Sequence, residues 1–255
     1  MVDWSGRDYA EVSGLQRAMI TDALADLVID PGEWVLDIGC GDGFLTRLIA
    51  DRLRGGIAVG VDASPRMVAT AAAGPVGPRP AAYVAGDARS LPFAACFDVA
   101  VSFNALHWVP QQDEALARMA AVLKPAGRAT VQMVCAGPRP SLEATAMDVC
   151  RRQRWAREFD GVTAPFVHAE PDRFGDLAAG AGFTVRRLTV TDREWDFGSR
   201  VDFERWCGVG CTAWTDRLAP ADRDRFVADL VDAYEPIAGR PGLFRFTQLR
   251  AELRR

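Results

Sequence analysis

The sequence is poor in features that mark whole classes of protein. It has one lysine and two histidines in 255 residues, and acids outnumber basic residues to give a formal net charge of −4. A surface that binds nucleic acid needs an excess of positive charge, so we expect no nucleic acid as a partner. No stretch reaches the roughly 20 apolar residues that a membrane helix needs, so we expect no membrane partner either.

The six cysteines have no spacing typical of disulfides or zinc sites. Cys207 and Cys211 lie one helical turn apart, but no second pair of Cys or His accompanies them. We therefore expect buried free thiols and no metal. Residues 1–10 are polar and lack the apolar core of a signal peptide, so the predicted location is cytoplasmic.

Arginine supplies almost all of the positive charge, and two explanations stay open. One is the base composition of the genome. The other is that arginines on the later helices bind an anionic substrate, because a guanidinium group forms bidentate contacts with carboxylates. The candidates for that role are Arg152, Arg154, Arg157 and Arg205.

Short apolar strands alternate with helices over residues 33–134. The predicted strands are 34–38, 57–61, 82–85, 97–103 and 128–134, and the predicted helices are 44–54, 64–73 and 111–123. Ser64 is the predicted cap of the middle helix, with Pro65 at its first position. Alternation with short links predicts a parallel sheet covered by helices on both faces, so the fold class is α/β and Rossmann-like.

The rest of the chain is predicted to be mainly helical. Helices are expected over 8–28, within 138–169, over 172–181 and over 200–234, and late strands over 183–191 and 243–253. We interpret 1–255 as one domain, in which 136–170 and 199–238 are insertions that cap the carboxyl edge of the sheet. An aromatic-lined pocket under this cap would suit a partly apolar small molecule. The aromatic residues concerned are Trp155, Phe159, Phe166, Trp195, Phe203, Trp206 and Trp214.

A glycine-rich segment follows the first predicted strand and opens a helix, where open α/β sheets bind their ligands. Glycine falls at 39, 41 and 43, but position 44 is Phe44, where a dinucleotide fingerprint wants a small residue. Asp37 precedes the loop and would repel a pyrophosphate, whereas it would attract the cationic amino-acid end of a sulfonium cofactor. The two features favour S-adenosylmethionine over NAD.

Two further acids follow the next two strands. Asp62 ends the second strand, where a carboxylate can accept hydrogen bonds from both ribose hydroxyls. Asp87 follows the third strand and can accept from an adenine amino group, while the amide of Ala88 donates to the ring. A purely structural alternative for Asp87 is that it caps the following turn.

The ordered segments VLDIGCGDG, VGVD, AGDA, FDVAVSFNALHWV and LKPAGR resemble the motifs of class I S-adenosylmethionine-dependent methyltransferases, over residues 33–134. The N-terminal pattern of Trp4, Asp8-Tyr9-Ala10, Ser13 and Gln16 resembles the trans-aconitate methyltransferase branch and related small-molecule enzymes. The segment 106–109 and the capped layout share that second resemblance.

The resemblance implies a seven-stranded sheet in the order 3-2-1-4-5-7-6, with the last strand antiparallel. It places Asp37 and the glycine loop at the methionine part of the cofactor, and Phe103 and Asn104 beneath it. Ala63 and Met67 would flank the adenine. Residues 1–30 would form a lid helix, on which Tyr9, Ser13 and Gln16 touch cofactor and substrate. The implied cofactor residues are Asp37, Gly39, Cys40, Gly41, Gly43, Asp62, Ala63, Met67, Gly86, Asp87, Ala88, Phe103, Asn104 and Gln16.

The predicted reaction is methyl transfer to an oxygen of a small molecule, either a carboxylate or a hydroxyl. For a hydroxyl, His107 just past the fourth strand is the candidate general base. For a carboxylate, arginines would supply counter-charge. The alternative for His107 and its neighbour is packing only. The predicted substrate residues are Tyr9, Ser13, Trp108, Arg152 and Arg205.

Other functions stay open at this stage. They are a C- or N-methyltransferase of a small metabolite, an NAD(P)-dependent oxidoreductase, and a non-catalytic cofactor-binding protein. Residues 103–106 lack the Asn/Asp-Pro-Pro-aromatic turn of enzymes that methylate nucleic-acid bases, and no acid cluster follows to hold a divalent metal. Both a monomer and a homodimer are compatible with the sequence.

Overall fold

A seven-stranded sheet organises the chain in the computed structural model, which describes residues 14–75 and 77–255. Its strands are β1 (Trp34–Ile38), β2 (Ile57–Asp62), β3 (Ala81–Ala85), β4 (Phe97–Phe103), β5 (Leu123–Val134), β6 (Thr184–Asp196) and β7 (Leu243–Arg254). They lie in the order β3-β2-β1-β4-β5-β7-β6. β7 pairs antiparallel with both β5 and β6, and the other pairs are parallel. The predicted fold class, strand order and antiparallel last strand are confirmed.

Helices cover the sheet on both sides. Their bounds are α1 (Gly14–Ala25), α2 (Phe44–Ala50), α3 (Pro65–Ala73), α4 (Gln112–Val122), α5 (Leu142–Cys150), α6 (Pro171–Gly180), α7 (Arg200–Gly210), α8 (Thr212–Thr215) and α9 (Pro220–Ala238). Short 3-10 turns lie at Ala88–Ser90 and Leu106–Trp108. No described helix is both long enough and apolar enough to cross a bilayer.

A side-chain cap fixes the start of α3, as predicted. The Ser64 hydroxyl accepts a hydrogen bond from the Met67 amide at 3.2 Å, and Pro65 occupies the first turn of α3. The cap satisfies a backbone donor that has no partner inside the helix, and proline loses nothing at that position.

Several element bounds differ from the prediction for tertiary reasons. β6 runs on to Asp196 instead of ending at 191, because it stays paired with β7 along its length, to Asp196 opposite Leu243. β5 begins at Leu123, which pairs with Phe97 before the register shifts. The predicted helix 44–54 ends at Ala50, and only 14–25 of the predicted helix 8–28 is a described helix.

Three apolar clusters hold the helices on the sheet, and one of them packs α1 and α2 against β1 and β4. One face of the sheet packs with α4 and α6, around side chains such as Leu116 and Phe174 that are fully buried. Residues 136–170 and 199–238 contribute α5, α7, α8 and α9, which share a second core with Leu15, Met19 and Phe244. We call these four helices the helical layer. Their interpretation as insertions that cap one domain stays a prediction.

Phe226 on α9 tests how much this second core contributes to stability. It is fully buried, and its ring lies 5.5 Å from that of Trp155 and 5.2 Å from that of Phe159. We expect Phe226→Ala to lower the free energy of unfolding by about 3–5 kcal/mol, because it removes buried apolar surface and leaves a cavity. Urea denaturation at 25 °C measures the change. Val201→Ala, at a position 71% exposed, is the control and should change little. A loss below about 1 kcal/mol for Phe226→Ala would mean that the layer is not packed as described.

Candidate active site

A cavity of about 610 Å³ lies between the carboxyl ends of β1, β2 and β4 and the helical layer. This is the edge of the sheet where doubly wound folds bind ligands, and the volume is in the range of small-molecule sites. Most of the predicted site residues meet there. Those that line the cavity are Gln16, Gly39, Cys40, Gly41, Asp62, Ala63, Met67, Gly86, Asp87, Ala88, Phe103, Asn104, His107 and Trp108.

The remaining predicted residues do not line the cavity or cannot be placed. Asp37 and Gly43 lie next to the loop but not at the cavity wall, and Arg152 and Arg205 are exposed elsewhere. Tyr9 and Ser13 fall outside the described residues.

The glycine loop has a backbone that only glycine adopts readily. The φ angles of Gly39, Gly41 and Gly43 are 77°, 54° and 77°. A Cβ atom at Gly39 would lie 2.1 Å from the Cβ of Ala105, in the loop after β4. The Gly39 and Cys40 amides both donate to the Val61 carbonyl, at 2.7 and 3.0 Å. The loop is thus held tightly against two neighbouring strand ends, and it forms a backbone floor for the cavity.

The Asp62 carboxylate is held in a defined orientation at the end of β2. Its Oδ2 accepts from the Gly41 amide at 2.8 Å and its Oδ1 from the Ser64 amide at 2.9 Å. Each carboxylate oxygen can accept a second hydrogen bond. Asp62 can therefore present two acceptors to a pair of neighbouring hydroxyls, as in a ribose.

The charge of Asp87 is balanced by Arg89, two residues later on the same turn. Its Oδ1 accepts from the Arg89 amide at 2.8 Å, and its Oδ2 lies 2.5 Å from Nη2 of the Arg89 side chain. These contacts hold the pKa of the carboxyl below its usual range. The capping alternative thus describes part of its role, although Asp87 and Ala88 also line the cavity.

Asn104 is the strained polar residue of the site. Its φ is +58°, and both polar atoms of its side-chain amide are buried with no hydrogen-bond partner among the described residues. Because a buried amide without partners is costly, the arrangement suits a ligand that brings both a donor and an acceptor. The amino-acid end of S-adenosylmethionine carries both groups, so the Asn104 side chain fits this cofactor.

Asp37 does not face the cavity, contrary to the expectation from the sequence. Its side chain is 2% exposed and its Oδ2 accepts from the Thr46 hydroxyl at 2.6 Å, so it faces α2 rather than the cavity. Burial raises the pKa of Asp37 to about 7, and the charges of Asp62 and Asp42 add to the effect. The direct cofactor contact of Asp37 stays a prediction, and this geometry does not support it.

Gly43 also has a structural role, at the start of α2. It caps α2 with its left-handed backbone, and a Cβ there would lie 2.7 Å from the Tyr83 ring. The Phe44 side chain after it lines the cavity, where a pyrophosphate-binding helix would have a small residue.

The arginines of the cavity are not those predicted. Arg17 and Arg89 line it, and each has an acidic neighbour. Arg17 lies 3.7 Å from Asp42 and its guanidinium carbon 5.1 Å from the centre of the Phe44 ring. Neither arginine stood out in the sequence, because their position depends on how α1 and the 3-10 turn pack around the loop.

His107 lies at the wall of the cavity and is almost fully buried. Burial lowers the pKa of His107 to about 3, with a further contribution from His168, so the imidazole is neutral at neutral pH. Its Nδ1 atom is buried with no hydrogen-bond partner in the described part of the chain. The rings of His107 and His168 lie 6.2 Å apart.

One functional candidate had no signal in the sequence. Glu143, in the first turn of α5, lines the cavity close to His168. It stands 36 residues after His107 in the chain, and only the packing of α5 against the sheet brings the two to one cavity.

Comparison with known proteins points to a methyltransferase. A model described as a methyltransferase domain matches residues 35–127, which hold the glycine loop, Asp62, Asp87 and Asn104. Together with the relatives and solved structures described next, this match supports a class I S-adenosylmethionine-dependent methyltransferase. It favours such an enzyme over the oxidoreductase and the non-catalytic alternatives.

Relatives and solved methyltransferases are similar to this chain over nearly its whole length. Trans-aconitate 2-methyltransferase of Mycobacterium tuberculosis is 28% identical, over 96% of this chain and 94% of its own. A solved structure from Bacillus halodurans shares the fold with a TM-score of 0.65 at 19% identity, covering 93% of this chain and 98% of that one. Phosphoethanolamine N-methyltransferase 2 of Haemonchus contortus, solved with S-adenosylhomocysteine, has a TM-score of 0.62 at 18% identity and covers 96% and 56%. The two structural likenesses show the shared fold.

Asp62 provides a test of the cofactor site. We expect Asp62→Ala to weaken binding of S-adenosylhomocysteine by about 1.5–3 kcal/mol, the usual scale for hydrogen bonds to a charged group. Titration calorimetry measures it. Asp176→Ala, at an exposed position on α6, is the matched control and should bind normally. Equal affinity in the two variants would move the ribose away from Asp62.

Proposed function

We propose that this methyltransferase transfers the methyl group to the hydroxyl oxygen of a small, largely apolar molecule. The proposal is supported by the residues that line one part of the cavity. The helical layer, β7 and the turn after β4 form this part. We call this part the acceptor half, and we define it by Trp108, Glu143, Trp206, Trp214, Phe244 and Phe246. Five of these six side chains are aromatic.

The other part of the cavity would hold the cofactor. Bound there, S-adenosylmethionine supplies a methyl group on a positively charged sulfur. The glycine loop and Asn104 would hold its amino-acid end, Asp62 its ribose, and Ala63, Met67, Asp87 and Ala88 its adenine. The protein then mainly has to align the acceptor and exclude water, which supplies on the order of 7–11 kcal/mol in well-oriented reactions.

A carboxylate acceptor is the second candidate. It is favoured by the similarity to enzymes named for trans-aconitate, at 28% identity. It would need positive charge beside it. However, Arg152 and Arg205 are exposed away from the cavity, and the two lining arginines already lie beside Asp42 and Asp87. In the described chain, the acceptor half thus has an acid and no arginine, and the hydroxyl is the better fit.

A panel of acceptors separates the two candidates. Hydroxyl compounds with an aromatic or aliphatic body should give methyl ethers, and trans-aconitate or a simple carboxylate should give no methyl ester. Mass spectrometry of the products, with methyl-labelled cofactor, measures both. Arg152→Ala and Arg205→Ala should keep their rates within about twofold, as surface changes outside the cavity do. Ester formation that is lost in these arginine variants would reverse the proposal.

His107 is proposed to hydrogen-bond the acceptor as a neutral imidazole. Because burial makes this imidazole a weak base, we expect His107→Gln to lower kcat by about 2–10-fold, the scale of one lost hydrogen bond, while the affinity for S-adenosylhomocysteine stays unchanged. A residue that only packs should instead lose stability, with kcat little altered. Steady-state kinetics and calorimetry on the same preparation distinguish the two.

The lowered pKa of His107 also predicts a pH dependence of stability. The unfolded chain binds a proton near the ordinary pKa of 6.5 while the folded chain does so only near 3. The free energy of unfolding should therefore fall as the pH drops below about 6.5, by at most about 1.4 kcal/mol per pH unit from this group. His107→Gln should flatten the slope between pH 6.5 and 4, as read by urea denaturation. His168 contributes with the same sign, because burial lowers its pKa too, and His168→Gln is the comparison. An unchanged slope in both variants would contradict the buried neutral state.

A further inference from the structure

Glu143 is a buried acid without a structural task at its helix end. The N-cap of α5 is Ser141, whose hydroxyl accepts from the Ala144 amide at 3.0 Å, so the Glu143 carboxylate is not needed for capping. Its side chain is about a tenth exposed and lines the acceptor half. A carboxylate so placed among aromatic rings requires a hydrogen-bond donor.

No cation compensates this carboxylate in the described part of the chain. The ionisable neighbour within 4 Å is His168, whose Nε2 lies 3.8 Å from the Glu143 Oε2. Burial lowers the pKa of His168, although the charge of Glu143 opposes the shift. Burial also raises the pKa of the nearby Cys207 thiol and Tyr234 phenol. The three neighbours are therefore neutral at neutral pH and supply no positive charge beside the Glu143 side chain.

His168 is placed to orient this carboxylate rather than to meet the acceptor. It does not line the cavity, its ring lies 4.7 Å from that of Phe166, and its Nε2 atom is buried without a hydrogen-bond partner among the described residues. A small rotation of Glu143 would allow the Nε2–H group to donate to it. His168 would thus act as a positioning residue.

We propose that Glu143 binds the acceptor hydroxyl and takes its proton, with His168 holding the carboxylate in place. The proposal rests on the proposed function. The acceptor enters as the neutral O–H compound and donates to Glu143. As the oxygen bonds to the methyl group, the bond between that group and the cofactor sulfur would break, with its electron pair left on sulfur. The O–H electron pair stays on oxygen and the proton passes to the carboxylate, which becomes neutral. Glu143 then releases the proton to solvent after the product leaves. His107, whose imidazole is hard to protonate, is left to hydrogen-bond the acceptor.

A chromophoric phenol tests the binding step without turnover. 4-Nitrophenol absorbs differently as phenol and phenolate, so its pKa can be read in the complex with the S-adenosylhomocysteine-loaded enzyme. A neighbouring carboxylate disfavours the phenolate, and we expect the pKa of the bound probe to rise by about one unit or more. Glu143→Gln should abolish the rise and His168→Gln should reduce it. Glu158→Gln, at an exposed position, is the matched control and should keep it.

The kinetic arm uses a hydroxyl acceptor that gives a methyl ether with the wild-type enzyme. Glu143→Gln should lower kcat by about 10²–10⁴, as expected for a lost general base, with affinity for S-adenosylhomocysteine within twofold. Glu143→Asp should restore part of the rate. If the wild type forms no methyl ether from any hydroxyl acceptor, the proposed function fails. If the wild type is active and Glu143→Gln equals it, only the present inference fails.

Two further outcomes would overturn the inference. One is that 4-nitrophenol does not bind, or binds with a lowered pKa. The other is that phenethylamine binds more tightly than 4-nitrophenol and loses its affinity in Glu143→Gln. The carboxylate would then recognise a cationic amine, as an acid in an aromatic surround can.

Discussion

The close contact between the loop after β1 and the loop after β4 is the constraint on which the site depends. At Gly39 there is no space for a side chain, because Ala105 occupies the position a Cβ atom would take. The tight turn brings the Gly41 amide onto Asp62 and so fixes that carboxylate. Next to this contact Asn104 has a left-handed backbone, and its side-chain amide has no hydrogen-bond partner among the described residues. One steric fact thus arranges groups from β1, β2 and β4 around a common space.

Contacts within the protein hold two acids of the cavity in place. Asp62 is held by two backbone amides, and Asp87 by its ion pair with Arg89. Such groups need little reorganisation on binding, and preorganisation is the main contribution a protein makes when the transferred group is already activated. The acceptor half differs in character, since aromatic rings from four separate elements surround one carboxylate and one neutral imidazole.

Burial shifts the ionisable groups of the site in opposite directions. The same loss of hydration raises the pKa of Asp37 to about 7 and lowers that of His107 to about 3. Both shifts favour the neutral forms, so the site holds fewer charges than its composition indicates. Asp37 moreover hydrogen-bonds Thr46 on α2 and does not line the cavity, so it is not the free charge facing the ligand that the sequence led us to expect.

The strand order followed from the resemblance to class I methyltransferases. The residues themselves predicted the alternating strands and helices and the glycine loop after β1. These features depend on neighbours in the chain: short apolar strands, a serine cap at residue 64, and glycines at positions where φ is positive. The tertiary structure alone decided which side chains of the helical layer meet the cavity. Arg152 and Arg205 are exposed and do not line it, whereas Glu143, Trp206 and Trp214 do. The face that an amphipathic helix presents to a distant strand depends on long-range packing. The spacing of residues along the helix therefore does not predict which of them line a cavity.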